Sequence, residues 1–129
     1  MNFKGISFYL SLFCFPISLS AFINILYSSY FDYFLNIESY LLTLVFSILL
    51  GSGFYFFGKK SNRKIDFIDQ LILIIVVYLI VGLLISTPFY LSNTKVTFIS
   101  AFFESISGLT GTGFSTFDNI KYLDPTIIL

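Results

Sequence analysis

Charged residues divide the chain into long apolar stretches. Three stretches contain no Asp, Glu, Lys or Arg, namely 5–31, 39–58 and 70–94. Each is at least as long as the roughly 20 residues with which an α-helix crosses a bilayer core. Helices are expected because lipid offers no partner for unpaired backbone groups. The pattern therefore predicts three transmembrane helices, near 5–28, 38–58 and 70–92.

Composition supports the same class of protein. The 129 residues are 57% hydrophobic and 11% charged, whereas a soluble domain carries about 25% charged residues. Seven basic and seven acidic residues cancel, so the chain lacks the basic surface that binds nucleic acid. Without His and with a single Cys, it can build neither a His/Cys metal site nor a Ser-His-Asp or Cys-His catalytic group. The sequence predicts a membrane protein that is not an enzyme.

The first apolar stretch also resembles a signal peptide. Lys4 precedes an apolar run, and Ser18 to Ser20 precede Ala21 as a candidate cleavage site. Because the apolar character continues through Leu26 to the length of a membrane span, we favour an uncleaved helix.

Small residues mark the second predicted helix. Ser47 and Gly51 are four residues apart and share a helix face, and small residues at this spacing allow two helices to approach closely. The alternative is that the glycines only loosen the helix near its end.

Basic residues indicate the orientation in the membrane. The loop at 59–64 holds four of the seven Lys and Arg, and Lys4 lies two crossings away, on the same side. The loop at 29–38 contains acids and no basic residue. The positive-inside rule then places the N-terminus and the basic loop in the cytoplasm. Contact of this loop with lipid headgroups would leave the orientation unchanged.

The apolar segment 96–109 is too short to cross the membrane. It spans three or four helical turns, against a bilayer core of about 30 Å at 1.5 Å per residue. Thr97 is predicted as its N-cap and Gly108 as its end. Glu104 lies in the middle of the segment.

A Thr/Gly run follows this short helix, as in a re-entrant pore loop. Irregular backbone can turn its carbonyl groups inward and replace the water around a monovalent cation, and glycine permits the required dihedral angles. Threonine adds a hydroxyl oxygen, and the helix would direct its negative C-terminal end at the ion. An ordinary extracellular loop with turn residues is the alternative. The candidate ion-binding residues are Thr110, Gly111, Thr112, Gly113 and Phe114.

The run from Phe103 to Ser115, FESISGLTGTGFS, resembles the first pore-loop signature of the Trk/Ktr/HKT superfamily of potassium transporters, nearest to its bacterial TrkH-like branch. The stretch 88–91 is similar to the chain before that pore helix. The resemblance covers 70–125, and the first two helices match only in placement. It implies four linked helix–pore loop–helix units around one potassium pathway. It also implies a multi-pass protein of the plasma (inner) membrane.

By the same resemblance, potassium is the transported substrate, and there is no cofactor and no metal other than potassium. The implied partners are the lipid bilayer, a second copy in a homodimer and a cytoplasmic nucleotide-binding regulatory subunit. Gly113 corresponds to the key filter glycine. The main chain from Gly111 to Phe114 would face the ion, with Thr110 just below. Many relatives carry Thr at the place of Gly111, which leaves ion selectivity open.

Glu104 corresponds to an acidic residue common in this pore helix. We expect its carboxylate to form hydrogen bonds near the filter rather than to bind the ion. The alternative is that the carboxylate reaches the outer surface.

The expected architecture is an all-α membrane protein with three transmembrane helices, a re-entrant pore helix and a filter loop. Its regions are a transmembrane helix pair (1–58), a cytoplasmic basic loop (59–69) and a first pore unit (70–129) that includes the start of a second helix at Asp124-Pro125. We expect the N-terminal part of a potassium uptake transporter, incompetent alone because one filter strand cannot surround a cation. The alternatives are a channel subunit that assembles as a tetramer and a membrane interaction protein.

Overall fold

The described part of the chain forms four α-helices. The computed structural model describes residues 2–31, 37–60, 64–91 and 96–116. The helices are α1 (Phe3–Tyr30), α2 (Ile37–Gly58), α3 (Phe67–Leu91) and α4 (Phe98–Thr110). The first three are long and apolar enough to cross a membrane, which confirms the predicted spans. The second helix expected at Asp124-Pro125 lies outside the described residues.

The three long helices enclose a small apolar interior. α1 packs along α2, and α3 lies against both. One buried cluster joins Ile6 and Leu10 of α1 to Leu73 of α3. A second cluster joins α1 to the middle of α3, where its buried members are Cys14, Ile17, Val81 and Leu84. Large apolar side chains remain exposed on the outer faces of all three helices, as expected for helices that are apolar on every side and meet lipid.

Small residues bring α1 and α2 into close contact. Ser47 is fully buried, and a Cβ atom added at Gly51 would lie 3.1 Å from the Cβ of Cys14. A Cβ added at Gly58 would lie 2.5 Å from the backbone nitrogen of Phe8. These distances confirm that Ser47 and Gly51 lie on a helix–helix interface. Gly53 differs, because no atom lies within 4 Å of its added Cβ.

Asn2 ties the start of α1 to the start of α3. Its Oδ1 accepts a hydrogen bond from the Gly5 backbone nitrogen at 3.0 Å, which caps α1. Its backbone nitrogen donates to the buried Asp69 carboxylate at 3.1 Å, and its Nδ2 donates to the Lys64 carbonyl at 3.2 Å. The N-terminal ends of α1 and α3 therefore meet at one end of the bundle. The side of the membrane on which they lie stays a prediction.

A polar contact links α2 to α3 at Pro88. Proline lacks an N–H group, so the Leu84 carbonyl one turn earlier loses its helical donor. The Thr87 hydroxyl donates to that carbonyl. Thr43 of α2 places its Oγ1 2.9 Å from the Oγ1 of Thr87. Thr87 therefore satisfies the carbonyl that Pro88 leaves without its helical donor. Thr43, whose hydroxyl also donates to the Ser39 carbonyl at 2.9 Å, lies beside it.

We predict that Gly58→Ala destabilises the bundle, whereas Gly53→Ala does not. Both changes raise the helix propensity of α2 by up to about 1 kcal/mol, but the methyl group at position 58 meets the Phe8 backbone. Overpacking of this kind costs about 1–3 kcal/mol. Thermal unfolding of the two variants in detergent measures the difference. A Gly58→Ala variant as stable as Gly53→Ala would contradict the close approach of α1 and α2.

The Thr43–Thr87 contact is expected to stabilise the bundle by about 0.6 kcal/mol, the average for side-chain hydrogen bonds between membrane helices. A double-mutant cycle with Thr43→Val and Thr87→Val measures this coupling energy. The control cycle pairs Thr87→Val with Ser52→Ala, because the Ser52 hydroxyl donates to Leu49 within α2. Additive effects in the first cycle would show that the two hydroxyls do not interact.

Candidate functional site

The candidate site lies at the end of α4, which folds back along α3. The rings of Tyr90 and Phe98 are 5.8 Å apart where α3 ends and α4 begins. Further along, a Cβ atom added at Gly82 would lie 2.7 Å from Cδ1 of Ile106. Leu109 then packs against the apolar cluster shared by α1 and α3. The C-terminal end of α4 is therefore beside the middle of α3, and Gly82 provides the space that this approach requires.

The two ends of α4 differ in how well the sequence predicts them. The Thr97 side chain accepts a hydrogen bond from the Ser100 backbone nitrogen at 3.3 Å, which confirms the N-cap. The prediction that α4 ends at Gly108 is wrong, because the helix continues to Thr110. The left-handed residue is Gly111, with φ of 66°.

Two backbone bonds explain this later end of α4. The Gly111 nitrogen donates to the Gly108 carbonyl at 3.2 Å, and the Thr112 nitrogen donates to the Ser107 carbonyl at 3.1 Å. This is the Schellman arrangement, in which a residue of positive φ lets the chain return over the last helical turn. Gly108 stays inside the helix because the following chain turns back at Gly111.

The backbone after Gly111 offers carbonyl oxygens without protein partners. Gly113 also has a positive φ of 72°, and residues 111–116 are exposed. Within the described ranges, the carbonyl oxygens of Gly111, Thr112 and Gly113 accept no hydrogen bond. Carbonyl groups of this kind can replace the hydration shell of a monovalent cation.

The two threonine hydroxyls and the Phe114 carbonyl form hydrogen bonds with residues of α4. The Thr110 hydroxyl donates to the Ile106 carbonyl at 2.8 Å. The Thr112 Oγ1 lies 3.0 Å from the Ser107 Oγ, and the Phe114 carbonyl accepts from the same Oγ at 2.6 Å. The last residue of α4 and the four residues after it therefore lie together. Both threonine hydroxyls are hydrogen-bonded, whereas the carbonyls at 111–113 accept no hydrogen bond from the described residues. Ion binding by these residues stays a prediction.

Glu104 holds the chain that follows the loop. Its Oε1 accepts from the hydroxyls of Ser115 at 2.9 Å and Thr116 at 3.0 Å, and also from the Thr116 backbone nitrogen. This agrees with the expectation that the carboxylate forms hydrogen bonds near the candidate filter. Hydrogen bonds to a charged group are stronger than neutral ones, so Glu104 is a firm attachment point for residues 115–116.

Sequence reasoning did not identify Ser107, Ser115 or Thr116 as part of the site. A serine inside a helix, or serine and threonine after a loop, is common and carries no local signal. Their importance depends on the return of the chain over α4. The spacing from Glu104 to Thr116 could suggest this contact only once a turn at Gly111 is assumed.

Comparison with known proteins identifies a relative. No protein-family model matches the chain. The chain is similar to the Trk system potassium uptake protein TrkG of Escherichia coli (strain K12), with 29% identity over 85 residues. The match covers 65% of this chain but only 18% of that protein's length. It confirms a relationship to the Trk proteins, and the relative is a transporter rather than an enzyme.

We predict that Glu104→Ala frees the chain after Phe114, because three donors of Ser115 and Thr116 lose their shared acceptor. A nitroxide attached at Phe114→Cys reports this as faster motion in its electron paramagnetic resonance spectrum. The native Cys14 is fully buried and is expected to stay unlabelled. Glu104→Gln keeps an acceptor oxygen and should show a smaller change.

Glu38→Ala is the matched control for this measurement, since Glu38 is an exposed carboxylate in the first turn of α2. Its spectrum should equal that of the unmodified chain. Equal nitroxide mobility in Glu104→Ala and Glu38→Ala would show that Glu104 does not restrain the loop.

Proposed function

We propose that this chain, a relative of the Trk potassium uptake proteins, contributes one pore loop to a potassium uptake transporter. In this proposal α4 is a re-entrant pore helix and Thr110–Phe114 form one filter strand. The observation that carries the proposal is that the carbonyl oxygens of Gly111, Thr112 and Gly113 accept no hydrogen bond from any described residue. Potassium is proposed as the ion because the relative is named for its uptake.

The position of α4 supports a loop that enters the membrane and returns. α4 has 13 residues, about 20 Å at 1.5 Å per residue, which is shorter than the bilayer core of about 30 Å. Its end lies beside Gly82, near the middle of a helix that is long enough to span the membrane. Irregular backbone at such a depth is tolerated only where it lines a cavity or is buried in protein. An ion pathway is such a cavity.

Electrostatics favour a cation at this position. The C-terminal end of a helix carries a partial negative charge of about half an electron, and the C-terminal end of α4 adjoins the candidate filter strand. The Glu104 carboxylate is held by three donors from Ser115 and Thr116. We therefore assign ion binding to the backbone oxygens and assign to Glu104 the support of the strand.

A single strand can coordinate an ion from one side only. The proposal therefore includes further pore loops, supplied by the same polypeptide or by others, which complete the ring of oxygens. The implied homodimer and nucleotide-binding regulatory subunit extend this proposal. The basic residues Lys59, Lys60 and Lys64 lie near the predicted cytoplasmic end, where such a subunit would contact the chain.

The decisive test compares two glycines in the complete protein that carries this chain. Gly113 has a positive φ, whereas Gly108 lies inside α4, and no atom lies within 4 Å of an added Cβ at either position. Alanine in the left-handed region costs about 1–2 kcal/mol, so Gly113→Ala should displace the strand. We expect rubidium or potassium uptake to fall by about tenfold or more, the factor that 1.4 kcal/mol represents. Uptake-deficient cells provide the assay.

Gly108→Ala should leave uptake unchanged, since it adds a methyl group to an open position of a helix. Uptake that also survives Gly113→Ala would reject the filter assignment. The Thr/Gly run would then be a plain loop, as in a membrane interaction protein.

A further inference from the structure

Ser107 connects α4 to most of the candidate filter strand. It is 5% exposed. Its carbonyl accepts from the Thr112 nitrogen at 3.1 Å, and the Thr110 Oγ1, which donates to Ile106, lies 3.3 Å from the same oxygen. Its Oγ lies 2.6 Å from the Phe114 carbonyl and 3.0 Å from the Thr112 Oγ1. One residue therefore contacts the strand at its beginning, middle and end.

Counting hydrogens gives the direction of these bonds. A serine hydroxyl carries one hydrogen, and a carbonyl oxygen can only accept. The Ser107 hydrogen therefore goes to Phe114. The Thr112 hydroxyl donates to Ser107, whose Oγ lies 3.0 Å away and whose carbonyl oxygen lies 3.3 Å away. Ser107 thus holds a threonine side chain and a backbone carbonyl at the same time.

The Phe114 bond separates two kinds of carbonyl group in the strand. Those of Gly111, Thr112 and Gly113 accept no hydrogen bond within the described residues, whereas that of Phe114 points back to α4. Phe114 was expected to face the ion together with the others. The bond to Ser107 indicates that the series of ion-binding oxygens ends at Gly113.

Restraint by a side chain matters here because the strand contains two glycines. Gly111 and Gly113 both adopt positive φ, and glycine restricts backbone rotation less than any other residue. A strand of this composition holds its carbonyl groups in place only if other bonds fix it. Ser107 supplies such a bond directly after Gly113, and Glu104 supplies the next one at residues 115–116.

We propose that Ser107 is a positioning residue that sets the discrimination between potassium and sodium, by holding the Phe114 carbonyl against α4. This inference rests on the proposed function of the loop. With that carbonyl held, the Gly113 oxygen keeps a fixed place in the pathway. Without the hydrogen bond from Ser107, the strand can close around a smaller ion, and sodium competes better with potassium.

The test measures the ratio of potassium to sodium uptake in the complete protein that carries this chain. Ser107→Ala should lower this ratio about fivefold, which corresponds to a neutral hydrogen bond of about 1 kcal/mol. Ser107→Thr retains a hydroxyl group and should restore most of the ratio.

Ser105→Ala is the matched control. Ser105 lies on the same helix, is 2% exposed, and donates only within α4, to the Ala101 carbonyl at 2.8 Å. Its removal should leave the ratio unchanged. If Ser107 only stabilised the fold, Ser107→Ala would reduce uptake of both ions equally, and an unchanged ratio would overturn the proposal.

Ser107→Cys covers the case in which the alanine variant does not reach the membrane. A thiol is a weak donor of similar size, so the ratio should fall by a smaller factor, and an unchanged ratio again overturns the role of Ser107. Gly113→Ala separates this inference from the function on which it rests. Lost uptake in that variant together with an unchanged ratio in Ser107→Ala would reject the positioning role alone.

Discussion

A backbone carbonyl group in hydrocarbon costs several kcal/mol unless a donor or a cation satisfies it, and this constraint bears most heavily on Gly111, Thr112 and Gly113. Helical hydrogen bonds satisfy the backbone through most of the described chain. At these three positions the oxygens accept no hydrogen bond from the residues that the structure describes. In the proposed function, a cation in the pathway takes the place of those donors.

Close packing of α4 against α3 determines where this loop lies. Gly82 leaves a depression on α3 into which Ile106 fits, so α4 can approach more closely than an alanine would allow. Glycines also allow a close approach between α1 and α2, where Gly51 and Gly58 of α2 contact α1. Because lipid is as apolar as leucine, close packing and polar contacts rather than the hydrophobic effect hold membrane helices together. Small residues therefore determine where the helices meet.

Two side chains of α4 form hydrogen bonds with different parts of the chain after the helix. Ser107 acts within the last helical turn and holds Phe114, whereas Glu104 acts one turn earlier and holds Ser115 and Thr116. The neutral bond and the charged bonds fall on consecutive residues of the loop. A flexible Gly-Thr-Gly strand is thus attached at both of its ends to one rigid helix.

The sequence by itself determined the three spans, the Thr97 cap and the placement of Glu104 near the loop. These follow from local properties of the sequence. The length without charge, the apolar content and the capping residue each depend on neighbouring residues within one helical turn or one span. Only the tertiary structure decided that α4 continues to Thr110 rather than ending at Gly108, that Thr43 meets Thr87, and that Ser107 holds Phe114. Each of these depends on where the chain turns back or which helices become neighbours. Thr43 and Thr87 are 44 residues apart, and three glycines in six residues leave the position of the turn undecided until the chain packs.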